Sequence, residues 1–235
     1  MIKFSKEIME LAIAKMPLNC TKTILCSAGV DSIAVSHYYQ KHINYKYGSW
    51  NIFHFNHQQR PQNDLMEKRY HEFGYDHNIP RKSPVLLKDQ GYYGNDSKPT
   101  EDNLRQARLN YIKNRFYHNI FITAHHLDDA TESYMLNVLR GKEGFLPIPF
   151  ITEVGRNLIV HPFLFTKKKD FREYAEKNDL MKYVVEDETN KVTKGSRRNF
   201  IRNEIMPLLD REKMGLSTIV EKKMKERLML ELIKN

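Results

Sequence analysis

Two segments of this chain place side chains where they can do chemistry together. Ser27-Ala28-Gly29-Val30-Asp31-Ser32 is a run of small and hydroxyl residues that leads into a helical pattern. Backbone N–H groups in such a loop can approach phosphate oxygens closely, hydroxyls add donors, and the following helix contributes its positive end. Asp31 would be a poor neighbour for bare phosphate, so it points to a bridging Mg²⁺. The plain alternative is a strand-to-helix turn in which Ser27 or Asp31 merely caps the helix. The loop has neither the Gly-Lys-Ser/Thr of a Walker loop nor the three-glycine spacing of dinucleotide sites.

The second segment is Thr123-Ala124-His125-His126-Leu127-Asp128-Asp129-Ala130-Thr131-Glu132, followed by Arg140-Gly141. Asp129 and Glu132 are three apart, so both carboxylates can lie on one helix face. Two negative charges together need a cation: a metal, a Lys or Arg side chain, or an amine substrate. The alternative is that the aspartates favour the helix amino end while Glu132 is solvated. His125 and His126 lack a third ligand at a recognisable metal spacing. Arg105 and Arg108, three apart, could clamp a phosphate or a transition-state oxygen, or serve as surface ion-pair partners. Arg198 and Arg202 are one helical turn apart and read alone as a basic solvated face.

The elements that must position these groups alternate. A leading helix is expected over Ser5–Met16, a strand at Thr23–Cys26, a helix at Asp31–Lys41, a strand at Trp50–Phe55 and a helix at Asn63–His77. A short strand at Ser83–Leu87 precedes a Gly- and Asn-rich stretch, Lys88–Pro99, with the composition of a lid. Thr100 can cap a helix to about Tyr117; a buried strand at Asn119–Ala124 then leads into a helix at Asp128–Leu139. A strand at Leu158–Val160, helices at Lys168–Asn178, Asn199–Leu209 and Thr218–Lys234, and an irregular stretch from Glu186 to Arg198 complete the chain. Such alternation predicts an α/β fold, a mostly parallel sheet flanked by helices, with ligands at the carboxyl ends of the strands. Ser27–Ser32, Asn56–Arg60 and His125–Asp129 each follow a strand, so the three are expected to meet.

At 235 residues one α/β domain with a small appendage is expected. No run of about 18 apolar residues occurs, and Lys3, Lys6, Glu7, Glu10 and Lys15 break up the amino-terminal stretch, so neither a membrane span nor a signal peptide is expected. Cys20 and Cys26 give no metal spacing and no disulfide framework, which fits a reducing cytoplasm. The net charge of +9 favours a polyanionic partner. From Lys191 to Asn235 there are twelve Lys/Arg against six Asp/Glu, placing most of the surplus at the carboxyl end.

Taken jointly, the segments carry a resemblance. The first loop resembles the SGGxDS loop of the N-type ATP pyrophosphatases. With Asn56-His57 and Arg60, the Glu101-to-Arg108 helix, the AHHxxDxxET-like segment, His161-Pro162-Phe163-Leu164, Glu186-Asp187-Glu188-Thr189-Asn190 and Arg198-Asn199-Phe200-Ile201-Arg202, the order and spacing resemble the tRNA(Ile)-lysidine synthetases over roughly residues 20 to 210. The resemblance implies a Rossmann-like catalytic domain over 1–210 and a basic helical extension over 211–235. It implies ATP-dependent adenylation of the C2 oxygen of the wobble cytidine in a CAU anticodon, then attack by free L-lysine, in the cytoplasm.

It further implies that Ser27 to Ser32 hold ATP, with Asp31 organising Mg²⁺, and that Arg105 supports adenylation. Asp129 and Glu132 would bind the lysine ammonium groups, and Arg202 would lie near the substrate's carboxylate or the phosphate. Asn56, His57, Arg60, His125, His126 and Arg198 would complete the substrate site. A homodimer stays open. A tRNA thiolase of the same fold and a non-catalytic tRNA-binding descendant are the competing readings. Four positions depart from the family pattern: Gln58-Gln59, Leu109, Thr131-Glu132-Ser133, and Ala28, whose methyl fits only if that position needs no positive φ. Many relatives also carry further carboxyl-terminal domains that grip the tRNA.

Overall fold

The computed structural model describes residues 1–59, 62–86, 100–142, 147–186 and 196–234. At its centre, β1 (Thr21–Leu25), β2 (Trp50–Phe53), β5 (Asn119–Ile122), β7 (Asn157–Val160) and β6 (Ile151–Val154) form a sheet in the order β2-β1-β5-β7-β6. The pairs β1–β2, β1–β5 and β5–β7 are parallel. Strands β2, β5 and β7 are buried at every position, as expected when helices cover both faces.

The edge strand β6 is antiparallel to β7 and has no counterpart in the sequence reading. Its exposed Glu153 interrupts the apolar run that a buried strand would show. The signal that was available is the two-residue turn Gly155-Arg156, in which Gly155 takes φ +62° at the first central position, the glycine-first pattern of a tight hairpin.

The expected strand Trp50–Phe55 divides at His54. Strand β2 stays in the main sheet while β3 (Phe55–Asn56) pairs with β4 (Val85–Leu86) in a separate two-stranded sheet. His54 makes the break: its ring Nδ1 lies 2.8 Å from Cys26 O, and its carbonyl accepts from Val85 N. The stretch Lys88–Pro99 lies outside the described residues, as does most of the irregular one after Glu186.

Helices α1 (Lys6–Ala14), α2 (Val30–His42), α4 (Gln62–Asp76), α5 (Glu101–Arg115), α6 (Leu127–Val138) and α7 (Lys168–Lys177) pack around the sheet, with a single turn, α3 (Asn44–Tyr47), before β2. Thr100 caps α5 as expected. The helix read at Asn199–Leu209 is a composite: α8 (Arg197–Phe200), a π turn over Ile201–Ile205 and α9 (Met206–Arg211). Pro207 accounts for the wide turn, since its ring has no N–H and would clash with the carbonyl four residues back in a regular helix. The final helix, α10 (Leu216–Ile233), lies on α6 and α1 and adds Val220, Met224 and Leu228 to the main core. Among the described residues no helix is long and apolar enough to cross a membrane.

One buried contact between helices predicts a pH dependence. His37 on α2 is buried, with Nδ1 2.9 Å from the Tyr174 hydroxyl on α7. Burial, reinforced by Lys41, His77 and His42, lowers its pKa to about 4. The unfolded chain takes up this proton near pH 6.5, so between those values it holds more protons than the fold. Stability from this residue is therefore full above about pH 6.5 and is lost progressively as the pH falls from there to about 4. From pH 7.5 to 5 the loss should be about 2 kcal/mol, read from urea midpoints. His37→Gln should remove that part of the slope; an unchanged slope would refute the assignment.

Candidate active site

The loop after β1 is tied down from several sides. Cys26 N donates to Phe53 O at 2.9 Å, Ser27 N donates to Ser32 Oγ at 3.1 Å, and Ser32 Oγ donates to Gly29 O at 3.0 Å. Ser32 is thus buried and engaged inside the loop. The N-cap of α2 is Gly29, with no side-chain cap. The plain alternative of a capped turn is therefore not what forms: the first-turn amides of α2 keep an open end suited to an anion.

Ala28 corrects an expectation. It has φ +58° and is fully buried, so the position does require the left-handed conformation that a methyl disfavours. Its carbonyl accepts from Val185 N at 2.9 Å, which helps hold that geometry. Ala28→Gly should therefore leave stability unchanged or raise it by up to about 1 kcal/mol, relief of strain outweighing the entropy gained by the unfolded chain. A loss of 1 kcal/mol or more on thermal unfolding would contradict this.

Helix α6 begins at the end of β5 and supplies the opposite wall. His126 is its N-cap: Asp129 N donates to His126 Nδ1 at 3.2 Å and His126 N donates to Asp129 Oδ2 at 3.1 Å. The ring's other nitrogen, Nε2, lies 3.6 Å from Asp31 Oδ2 and 3.4 Å from Asp129 Oδ2. This one imidazole joins the phosphate-type loop to α6. Burial opposes its charge, but Asp129, Asp31 and Asp128 outweigh burial and lift it to about 9. The Asp129 amide on Nδ1 favours the neutral ring instead; in either form Nε2–H faces the carboxylates. Asp31 Oδ1 is buried and has no hydrogen-bond partner among the described residues.

Asp129 and Glu132 share one face, as their spacing predicts, and Glu132 is only 2% exposed, which removes the reading of a solvated glutamate. The cation between them is Arg202. Its Nε donates to Glu132 Oε1 at 2.7 Å, and its Nη2 donates to Glu132 Oε2 at 2.8 Å and to Asp129 Oδ1 at 3.3 Å. Arg198, on the same helical stretch, donates through Nη2 to Ser133 Oγ at 2.8 Å, with Nε 3.6 Å from Glu132 Oε2. Burial pushes the Glu132 carboxyl up, with Arg202 pulling the other way. Burial also opposes the charge on Asp129, but His126, His125 and Arg202 prevail and hold it at about 2.

Two residues that the sequence motifs include, but to which the sequence reading gave no role, stand beside the site. Thr123 Oγ1 is 2.6 Å from His161 Nδ1 and 2.8 Å from His125 Nδ1, and the two ring nitrogens are 3.1 Å apart. His161 is held well below the usual histidine range by burial first, then by the charge of His125, with Arg105 adding to it. The signal was the position of Thr123 and His161 just past the ends of the adjacent parallel strands β5 and β7. Arg105 itself is exposed on α5.

The segment after β3 is linked to the loop through α4 and Val185. Asn56 is buried and braces its own turn, donating to Glu67 Oε2 at 2.8 Å and accepting from Gln58 N. Gln62 at the start of α4 donates to the Glu186 carbonyl, next to the Val185 that bonds Ala28. His57 is half-buried on the same turn, and Arg60 lies outside the described residues.

The family described as PP-loop domain matches residues 5–209. The chain is 31% identical over 218 residues to the tRNA(Ile)-lysidine synthase of Coxiella burnetii, covering 88% of this chain and 45% of that protein. It is 30% identical to the Streptococcus mutans enzyme of the same name, covering 83% and 43%, and 29% identical to that of Wigglesworthia glossinidia brevipalpis, covering 89% and 54%. The chain thus spans about half the length of these curated relatives. Among solved structures, a U34-tRNA thiolase from Methanococcus maripaludis, with its [4Fe-4S] cluster, superposes with a TM-score of 0.65 at 16% identity, covering 95% of this chain and 78% of that one.

Proposed function

Since the chain belongs to the PP-loop domain family, we propose that it is a tRNA(Ile)-lysidine synthetase, which consumes ATP and free L-lysine to convert the wobble cytidine of a CAU anticodon into lysidine. The observation that carries this reading is a carboxylate pair, the buried Glu132 and the part-buried Asp129, with Asp129 joined through His126 to a phosphate-type loop. One half of the site suits an anion and the other a cation, as a reaction between a nucleotide and an amine requires.

In this reading the α2 amides and Ser27 to Ser32 cradle the ATP phosphates, while Arg105 stabilises charge on the group transferred. The cytidine O2 takes the adenylyl group as pyrophosphate leaves; the lysine amine then attacks C2, and AMP departs with that oxygen. Asp129 and Glu132 hold the lysine as a cation, the role Arg202 fills in this structure. Arg202 then turns to the lysine carboxylate or the phosphate, while Asn56, His57, Arg60, His125, His126 and Arg198 border the substrates. Positioning and fixed charge supply most of the rate.

Asp31 Oδ1, buried and without a hydrogen-bond partner among the described residues, fits a divalent ion, since Mg²⁺ is commonly bound by one or two carboxylates together with substrate phosphates. Bound there, Mg²⁺ would neutralise charge on the phosphates. Residues 1–210 form the catalytic unit and 211–235 an extension laid upon it, working in the cytoplasm.

The test is the mass of a tRNA(Ile) transcript after incubation with ATP, Mg²⁺ and lysine. A gain equal to lysine less water supports the reading; a gain only with a sulfur donor would transfer the chain to the thiolases. Cys20 and Cys26 speak for the first outcome, because both are buried and burial pushes the Cys26 thiol up, away from a reactive thiolate.

A further inference from the structure

Beside the carboxylate pair, the last turn of α6 and the start of α8 enclose a groove of about 500 Å³ lined by Leu136, Leu139, Arg140, Arg197, Phe200 and Ile201. It adjoins the site directly: Leu136 is one turn beyond Glu132 on α6, and Arg197 and Ile201 neighbour the two arginines that reach Glu132. Its floor is apolar, yet Leu139 is 73% exposed and Phe200 50% exposed, so the aromatic ring is open to a visitor. Arg140 and Arg197 on the rim are exposed and have no acidic partner among the described residues.

An open aromatic ring beside two exposed guanidinium groups that have no acidic partner among the described residues matches the chemistry of single-stranded RNA, whose bases stack and whose phosphates need cations. A protein partner with an apolar helix would fill the floor but leave both rim charges unanswered. An enzyme that modifies a base must also take that base out of its stack, which leaves the adjacent nucleotide without a stacking neighbour. Resting on the RNA reading above, we propose that this groove holds an unpaired nucleotide next to the reacting cytidine, with Phe200 stacking on its base and Arg140 and Arg197 taking the flanking phosphates.

The experiment is a fluorescence-anisotropy titration of the intact protein with a labelled CAU anticodon stem-loop, without ATP or lysine, over a range of salt. Phe200→Ala should weaken binding roughly 10-fold or more, the loss of one stacked base. Phe200→Leu should weaken it nearly as much, because it stays apolar but cannot stack, whereas Phe200→Trp should keep it. The double variant Arg140→Ala/Arg197→Ala should lower affinity and flatten the salt slope by about 1.4.

Unchanged affinity in Phe200→Ala and in the double variant overturns the proposal. So does a Phe200→Ala variant that changes sedimentation but not RNA affinity, since the groove would then face protein. A wild type that binds no stem-loop removes both this inference and the function above. A wild type that binds, responds to these substitutions and yet adds no lysine removes only the reaction and leaves the groove in place.

Discussion

Asp31→Ala should reduce pyrophosphate release from ATP by on the order of 10²–10³-fold or more, while RNA binding stays within a few-fold of wild type. Asp31 sits in the first turn of α2, where the open amides favour negative charge, yet it carries that charge itself. One of its oxygens faces the His126 ring and the other is buried without a partner among the described residues. A buried, unsatisfied carboxylate oxygen costs free energy unless a ligand restores its coordination. A divalent metal held by Asp31 would do so, and losing the charge stabilisation it would supply removes several kcal/mol from the transition state. Release is measured with a coupled pyrophosphate assay, and RNA binding with the anticodon stem-loop. Wild-type turnover in the variant would sink the ATP half of the site; loss of RNA binding would show that Asp31 supports the fold instead.

Glu132→Gln should raise the KM for lysine by roughly 10²-fold and leave RNA-dependent pyrophosphate release within a few-fold, because charge-assisted hydrogen bonds contribute about 1.5–3 kcal/mol each. The isosteric amide keeps the shape of the pocket and one acceptor for Arg202, which also retains Asp129. Truncation to alanine would be harder to interpret, since it would leave a half-buried guanidinium without its main partner and could cost about 3–5 kcal/mol of stability. The split between lysine KM and pyrophosphate release is the decisive quantity. An equal fall in both would place Glu132 in the adenylation step, and no change in either would reduce it to a structural partner of Arg202.

Arg202 shows where residue types and spacing stop being informative. The three-residue spacing of Asp129 and Glu132 made a shared face and a need for a cation legible, but left a metal, a basic side chain or an amine equally open. The structure supplies a basic side chain 70 positions after Glu132, delivered by a π turn that Pro207 imposes. Nothing local to either segment encodes that meeting. Ala28 is a similar case: the departure from the glycine pattern was visible, but the sign of φ depends on how Cys26, Ser32 and Val185 anchor the loop around it.

Local rules determined the rest. Strand–helix alternation, Pro and Gly stops and the Thr100 cap are short-range steric and hydrogen-bonding effects, so the α/β class and most element positions followed from the sequence, and with them the placement of Ser27–Ser32 and His125–Asp129 at strand ends. The antiparallel edge strand, the break at His54, the Thr123–His125–His161 cluster and the Arg202 clamp required the tertiary structure. They depend on which strand lies beside which and, for groups such as His54, His161 and Glu132, on burial that removes water and leaves polar groups to find one another across the fold.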